Sequence, residues 1–337
     1  MARRRVLLLL KPFDVYPPRP NPTVAAAAAS SSSSPRTINP RLLSFLDDRR
    51  RVHKDTINFC RSVLERKALD WELVLRNHLS CPIHHVDLVI TVGGDGTLLQ
   101  ASHFLDGSTP VVGVNSDPTR VKEVGITKPK LLLNLNDLVD EFSDEFDATR
   151  STGYLCAASA ENFEEVLDEI LEGRKHPTEL SRISVNLNGS RMPTFALNDI
   201  LVSHPCPASV SRFSFRIKSK CGKSSHLVNS RSSGFRVCTA AGSTAAMLSA
   251  GGFPMPISSR ELQYIVREPI LPRDSDISLM HGVIKSNESV HLEWYSQEGV
   301  VYVDGSHVFH SIRHGDTIEM SSEAPILKVF LPQRSIS

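Results

Sequence analysis

Apolar residues change their pattern near the middle of this chain. Residues 6–10, Val-Leu-Leu-Leu-Leu bounded by Lys11-Pro12, form a continuous apolar run, as expected of a strand buried on both faces. The run is too short to span a bilayer or to form the core of a signal peptide. Leu42, Leu43, Phe45 and Leu46, then Val52, Ile57, Phe59, Val63 and Leu64, recur at helical spacing on a charged segment and predict an amphipathic helix. Residues 87–92 predict a strand ending at Gly-Gly, residues 97–105 a helix starting directly after it, and residues 110–114 another strand. Strand, glycine turn, helix and strand make a parallel α/β unit, whose ligand site belongs at the carboxyl ends of the strands. Phe163, Val166, Leu167, Ile170 and Leu171 give a further helix, closed by Gly173.

Beyond about Lys175 the runs shorten and become rich in Val, Ile and Phe. Residues 183–187, 195–202, 212–217, 235–238, 300–303 and 326–331 read as strands separated by turn residues, which predicts a second, mostly antiparallel β domain with one small-residue helix inside it. Two stretches carry no such pattern. Residues 16–40 are Pro-rich, then five alanines, then the serines 30–34, a composition with nothing to bury. Residues 121–147 are acidic and leucine-bearing and read as an inserted helix or lid.

Composition narrows the function classes. Lys and Arg number 38 against 37 Asp and Glu, and a net charge of +1 lacks the field of a bulk nucleic-acid binder. A length of 337 residues suits two domains. Six scattered cysteines, with no CxxC, suggest neither a zinc site nor a disulfide framework, so a reducing compartment, the cytoplasm, is expected. Arg3, Arg4 and Arg5 with the later serine tract also fit an organelle leader, but the strand reading of residues 6–10 competes with it. The chain ends Ser335-Ile336-Ser337, unlike an SKL-type address.

Three motifs carry candidate chemistry. In Gly93-Gly94-Asp95-Gly96-Thr97 the glycines let backbone N–H groups approach an anion at a helix start. A carboxylate inside such a loop points to phosphoryl transfer, with Asp95 orienting a hydroxyl nucleophile or binding a metal-phosphate; a plain turn capped by Asp95 is the bland alternative. The absence of GxxxxGK[ST] and of HRD with DFG excludes the P-loop and protein-kinase lineages. Residues 232–252 run from a strand through Thr239, Gly242, Ser243 and Thr244 into an alanine-rich helix closed by Gly-Gly, predicting a second polar or anion pocket at a helix start; tight helix packing is the alternative. Asn198-Asp199 sits within a predicted strand where both residues are poor formers, which suits a ligand role. His307, His310 and His314 have no Cys or carboxylate joining them, so no metal site is expected.

Taken together, GGDGT after an apolar strand, the Asn-acid pair a hundred residues on, GSTA-x-x-x-SAGG, then Val303-Asp304-Gly305 and Gly315-Asp316 resemble the ATP-dependent NAD kinases. Val-Asn-Ser-Asp-Pro-Thr at 114–119, Pro-Cys-Pro-Ala at 205–208 and Ser-Arg-Phe-Ser-Phe at 211–215 look most like the plant NADH kinases within that family. The resemblance implies a Rossmann-like α/β domain over residues 1–174, with inserts at 16–40 and 121–147, an all-β sandwich over 175–322, and a tail, 323–337, returning to the first domain. It implies that Asp95 accepts or orients the proton of the adenosine-ribose 2′-hydroxyl while Mg²⁺-ATP supplies the phosphoryl group. Asn198 and Asp199 would hold the adenine and ribose side of NADH or NAD⁺. Gly93, Gly94, Gly96 and Thr97 would meet the pyrophosphate of the dinucleotide or the phosphates of the donor, and Thr239, Gly242, Ser243 and Thr244 would line the same cleft.

Three positions depart from the family pattern: Asp199 replaces Glu, Ser233 an acid, and Ala246 a tyrosine. Losing a carboxylate and a ring removes attraction for a cationic pyridinium, so NADH should be favoured over NAD⁺. A homodimer without nucleic-acid or membrane partners is expected. Lipid kinases of the diacylglycerol and sphingosine type share GGDGT and form one alternative; a non-catalytic dinucleotide sensor forms another.

Overall fold

The computed structural model describes residues 4–13, 40–67, 69–116, 154–270 and 277–332, so the segments 16–39 and 121–147 lie outside the described residues. The chain runs β1 (Arg5–Leu10), α1 (Pro40–Arg66), β2 (Asp70–Leu75), a 3₁₀ turn (Arg76–His78), β3 (Leu88–Gly93), α2 (Asp95–Ser102), β4 (Val111–Asn115), β5 (Ala158–Ser159), α3 (Phe163–Leu171) and β6 (Thr178–Leu180). Strands β1 to β4 pair in parallel in the order β2-β1-β3-β4. Side chains alternate across a strand, and both faces of β1 are covered. Val6, Leu8 and Leu10 pack with Ile57, Val63 and Leu64 of α1 and Val166 and Leu167 of α3. Leu7 and Leu9 face the opposite way, into a cluster with Leu98 and Ala101 of α2. Double coverage explains why the apolar run of β1 is unbroken rather than alternating.

The second half supplies β7 (Ser184–Leu187), β8 (Ser190–Arg191), β9 (Asp199–Ser203), β10 (Ser211–Ser219), β11 (Val228–Ser232) and β12 (Gly234–Cys238), then a 3₁₀ turn (Ala241–Thr244) and α4 (Ala246–Ser249). It continues through β13 (Leu262–Arg267), a 3₁₀ turn (Ile277–Met280), β14 (His281–Ile284), β15 (Glu288–Trp294), β16 (Glu298–Val303), β17 (Val308–Arg313), β18 (Thr317–Ser321) and β19 (Leu327–Phe330). Two antiparallel sheets, β11-β10-β15-β18-β7-β8 and β14-β13-β12-β9-β16-β17, form a sandwich. Phe213, Phe215, Phe235, Tyr264 and Trp294 fill its core, with the rings of Phe213 and Trp294 stacked at 6.2 Å.

The run at 326–331, which hydropathy alone assigns to the β domain, forms β19 of the first sheet, parallel to β4 and antiparallel to β6. Burial of Leu327 and Val329 against the α/β core decides its place. The expected alanine-rich helix is also shorter than its composition suggests. A four-residue 3₁₀ turn and the single turn α4 meet at Ala245, whose φ of −99° and ψ of −132° break the helix. Alanine's high helix propensity is a weak prior, and here tertiary contact overrides it.

Arg182 ties the halves together. It is 0% exposed, and its guanidinium donates to the carbonyls of Ser102 (3.0 Å) and Leu105 (2.8 Å) at the end of α2 and of Pro325 (2.6 Å) before β19. A cation at a helix C-terminus is favoured by the helix dipole. Burial pushes its pKa down to about 10, so it stays charged at neutral pH.

Candidate functional site

The Gly-rich loop lies where β3 passes into α2, at the carboxyl edge of the parallel sheet. Helix α2 begins one turn earlier than the apolar pattern indicates: Gly94 is its N-cap and Asp95 its first residue. Asp95 makes no capping bond. Its Oδ1 instead accepts the backbone N–H of Leu155 at 3.0 Å and the thiol of Cys156 at 3.4 Å, across the sheet edge. Burial pushes the Asp95 carboxyl above its ordinary value, while these donors pull it partly back. The Cys156 thiol is pushed well up by burial and by the adjacent carboxylate, which keeps it protonated as a donor. Beneath the loop, a Cβ on Gly93 would overlap the Thr97 hydroxyl. Only glycine permits this approach.

The Asn198-Asp199 pair is held by its backbone. Asp304, at the turn between β16 and β17 with φ of +51°, has a fully buried carboxylate. It accepts the N–H groups of Leu197 (2.8 Å), Asn198 (2.7 Å) and Asp199 (2.9 Å). The same carboxylate meets His103 Nε2, just past α2, at 2.9 Å, and so links the sandwich to the loop-bearing helix. This cluster fixes the backbone and leaves the side chains for other work. The Asn198 Oδ1 is buried with no hydrogen-bond partner among the described residues. Asp199 pairs with Arg236 of β12. Burial pushes the Asp199 carboxyl up to about 6, Asp304 adding to the effect and Arg236 opposing it.

The third motif packs directly on the second. The Thr239 N–H donates to the Asn198 carbonyl (2.9 Å), and a Cβ on Gly242 would overlap that same carbonyl oxygen. Thr239 and Ser243 are buried, and their hydroxyls are spent internally. Thr239 Oγ1 donates to the Leu197 carbonyl (2.5 Å), and Ser243 Oγ donates to the Ala240 carbonyl (2.7 Å) while accepting the Met255 N–H (2.9 Å). They build the loop, while Thr244 is half-buried. Leu98, Leu155, Leu197 and Ala241 share one apolar cluster, which gathers the three motifs around a common base. Ser233 lies apart. Cys238 is in register with Asp199, whereas Ser233 precedes the opposite end of β12 and bonds the Arg267 carbonyl through both N–H (3.0 Å) and hydroxyl (3.3 Å). Arg267 in turn lines a hollow of 270 Å³ with Arg236, Ala246, Ser249, Ala250 and Glu268.

Because Gly242 touches backbone rather than a mobile side-chain end, Gly242→Ala is expected to destabilise the fold by about 1–3 kcal/mol or more. Chemical denaturation checks this, and an unchanged midpoint would refute the close approach.

Sequence reasoning missed Arg236, Arg182 and His103. Arg236 does leave a signal, as a lone charge within the apolar run 235–238.

A loop-bearing parallel sheet joined to a β-sandwich, with a carboxylate at the helix start and an Asn-acid pair facing it, defines a nucleotide phosphotransferase architecture. The family model for the ATP-NAD kinase N-terminal domain matches residues 29–117. The chain is 66% identical over 333 residues to a probable NADH kinase of Oryza sativa subsp. japonica, covering 99% of this chain and 98% of the relative. It is 54% identical over 332 residues to an NADH kinase of Arabidopsis thaliana, covering 98% and 96%. Yeast NADH kinase, solved in complex with NADH, shares the fold at a TM-score of 0.61 and 16% identity, covering 97% of this chain and 83% of that one. The chain belongs to the NAD kinase family.

Proposed function

We propose that the protein phosphorylates NADH, and NAD⁺ less well, on the adenosine-ribose 2′-hydroxyl at the expense of MgATP. The observation that carries this is Asp95, a carboxylate seated in a glycine loop at a helix start, fixed by two donors to one oxygen and raised toward basicity by burial. The 2′-oxygen attacks the γ-phosphorus, the bond to the β–γ bridging oxygen breaks with its electron pair leaving on ADP, and the hydroxyl proton passes to Asp95. The transition state is loose, so positioning and charge neutralisation supply most of the rate. The unpartnered Asn198 Oδ1 suits the exocyclic amine of adenine, and Asp199 a ribose hydroxyl. Gly242 and Thr239 hold that pair in place, and Thr244 borders it. Mg²⁺ enters with the nucleotide, as a hard cation held chiefly by phosphate oxygens. The relatives give no support to a lipid kinase.

The assay is formation of NADPH from NADH and MgATP, with NADP⁺ from NAD⁺ as the comparison. A purified chain that phosphorylates neither would sink the reading. Preference for NADH has an electrostatic source in Arg236 and Arg267 lining one hollow where the family's acid and ring are replaced by Ser233 and Ala246. Ser233→Asp adds a negative charge beside the Arg267 carbonyl. It is expected to lower the NADH to NAD⁺ ratio of kcat/KM by roughly threefold or more, and an unmoved ratio would discard this source of discrimination. The six cysteines are all unpaired, which supports a reducing compartment, the cytoplasm, as the setting. A homodimer is the proposed assembly, and sedimentation tests it.

A further inference from the structure

The Gly-rich loop could receive either the donor's phosphates or the dinucleotide's pyrophosphate, and its surroundings distinguish the two. Two cations flank it at the ends of neighbouring strands. Lys11 directly follows β1; its N–H bonds the Val92 carbonyl at 2.9 Å, and its Cβ lies 3.0 Å from where a Cβ on Gly93 would stand. Arg76 directly follows β2. Its Nη1 is the nearest atom to the open face of Gly96, 3.9 Å from the position of a Cβ there. Gln100 of α2 donates to the Arg76 carbonyl at 3.0 Å and so fixes that residue to the helix the loop begins.

Two further observations mark the spot as a place for an anion. Thr97 is 1% exposed, and its hydroxyl, lying against Gly93, has no hydrogen-bond partner among the described residues. Buried hydroxyls are normally satisfied. His53, behind the loop, donates through Nε2 to the Lys11 carbonyl at 2.9 Å, which leaves Nδ1 to accept the Ser116 hydroxyl at 2.7 Å. Its imidazole is held neutral by burial and by the nearby charges of Lys11 and Arg76, as expected in positive potential. By contrast, Arg236, the cation beside Asn198 and Asp199, is already paired with Asp199.

We propose that Arg76 and Lys11 bind the triphosphate of the phosphoryl donor against the Gly93–Gly96 backbone, which leaves the Asn198-Asp199 side to the dinucleotide. The assignment rests on the kinase reading above. It answers the electrostatic difficulty of a carboxylate in a phosphate loop: Asp95 repels the incoming polyphosphate, and the two cations offset that repulsion from the far side of the glycines. Arg76 supplies a planar fork for phosphate oxygens, Lys11 a compact point charge.

The test compares wild type with Arg76→Ala, Arg76→Lys and Lys11→Met by steady-state kinetics, and by calorimetric titration with Mg-AMP-PNP and with NADH. Arg76→Ala is expected to raise the KM for MgATP and weaken Mg-AMP-PNP binding at least tenfold, while KM and affinity for NADH stay within twofold. Arg76→Lys should recover part of the loss, and Lys11→Met should repeat the pattern should Arg76→Ala not fold. If wild type phosphorylates NADH but these variants keep wild-type affinity for Mg-AMP-PNP, or lose NADH affinity instead, the assignment is wrong and the kinase reading stands. If wild type neither phosphorylates NADH nor binds Mg-AMP-PNP, both fall.

Discussion

Replacing Asp95 with asparagine should cut kcat by about 10²–10⁴-fold, the range a positioned general base contributes, with little change in KM for NADH or in stability. The side chain keeps its shape, and its Oδ1 can still accept the Leu155 N–H that anchors the native carboxylate. What it loses is the capacity to take a proton and the charge that orients a hydroxyl. The pH profile supplies a second readout. Since burial raises the Asp95 pKa, the ionised base appears only at higher pH than for an ordinary carboxylate. The rate should therefore climb through that raised pKa and be lost as pH falls below it, and the asparagine variant should lack this limb. A variant that retains more than a tenth of wild-type kcat would show that Asp95 is not the base.

What could be read in the sequence was mostly local. The loop at residues 93–97 announces itself because glycine, carboxylate and helix start are adjacent in the chain, and because β3 is buried on both faces. The register of β9 against β12, which brings Asp199 to Arg236, depends on antiparallel pairing over nearly forty residues of separation, and no local pattern encodes it. Thr239 and Ser243 are recognisable as an unusual concentration of hydroxyls, but not as hydroxyls consumed by buried carbonyls and N–H groups. Residues 241–249 mislead for a related reason. Their composition favours a helix, yet Gly242 must lie flat against the Asn198 backbone, and the chain breaks at Ala245 to allow it. Tertiary contact therefore decides the very segments on which the site depends, while secondary structure away from it follows the apolar pattern.

Asp304 is the residue whose removal should cost the fold and the site together. Its side chain is wholly buried and accepts four donors, three backbone N–H groups and His103 Nε2. Asn, like Asp, tolerates the left-handed backbone at φ +51°, so Asp304→Asn changes charge and acceptor count without adding backbone strain. One oxygen is lost, and an amide donor is turned toward groups that themselves donate. Breaking a buried, hydrogen-bonded charge of this kind costs about 3–5 kcal/mol, read as a lower denaturation midpoint. Function should follow a different parameter. Asp304 grips the backbone of Asn198 and Asp199 and not the reacting atoms, so its loss should raise the KM for NADH several-fold while kcat at saturation and the pH limb set by Asp95 persist. His103→Gln, which removes one donor only, should show the same direction with a smaller effect on both. A denaturation midpoint and a KM for NADH that both match wild type in Asp304→Asn would mean that the pair is held by other contacts, and that the link from α2 to the dinucleotide side is not what organises the cleft.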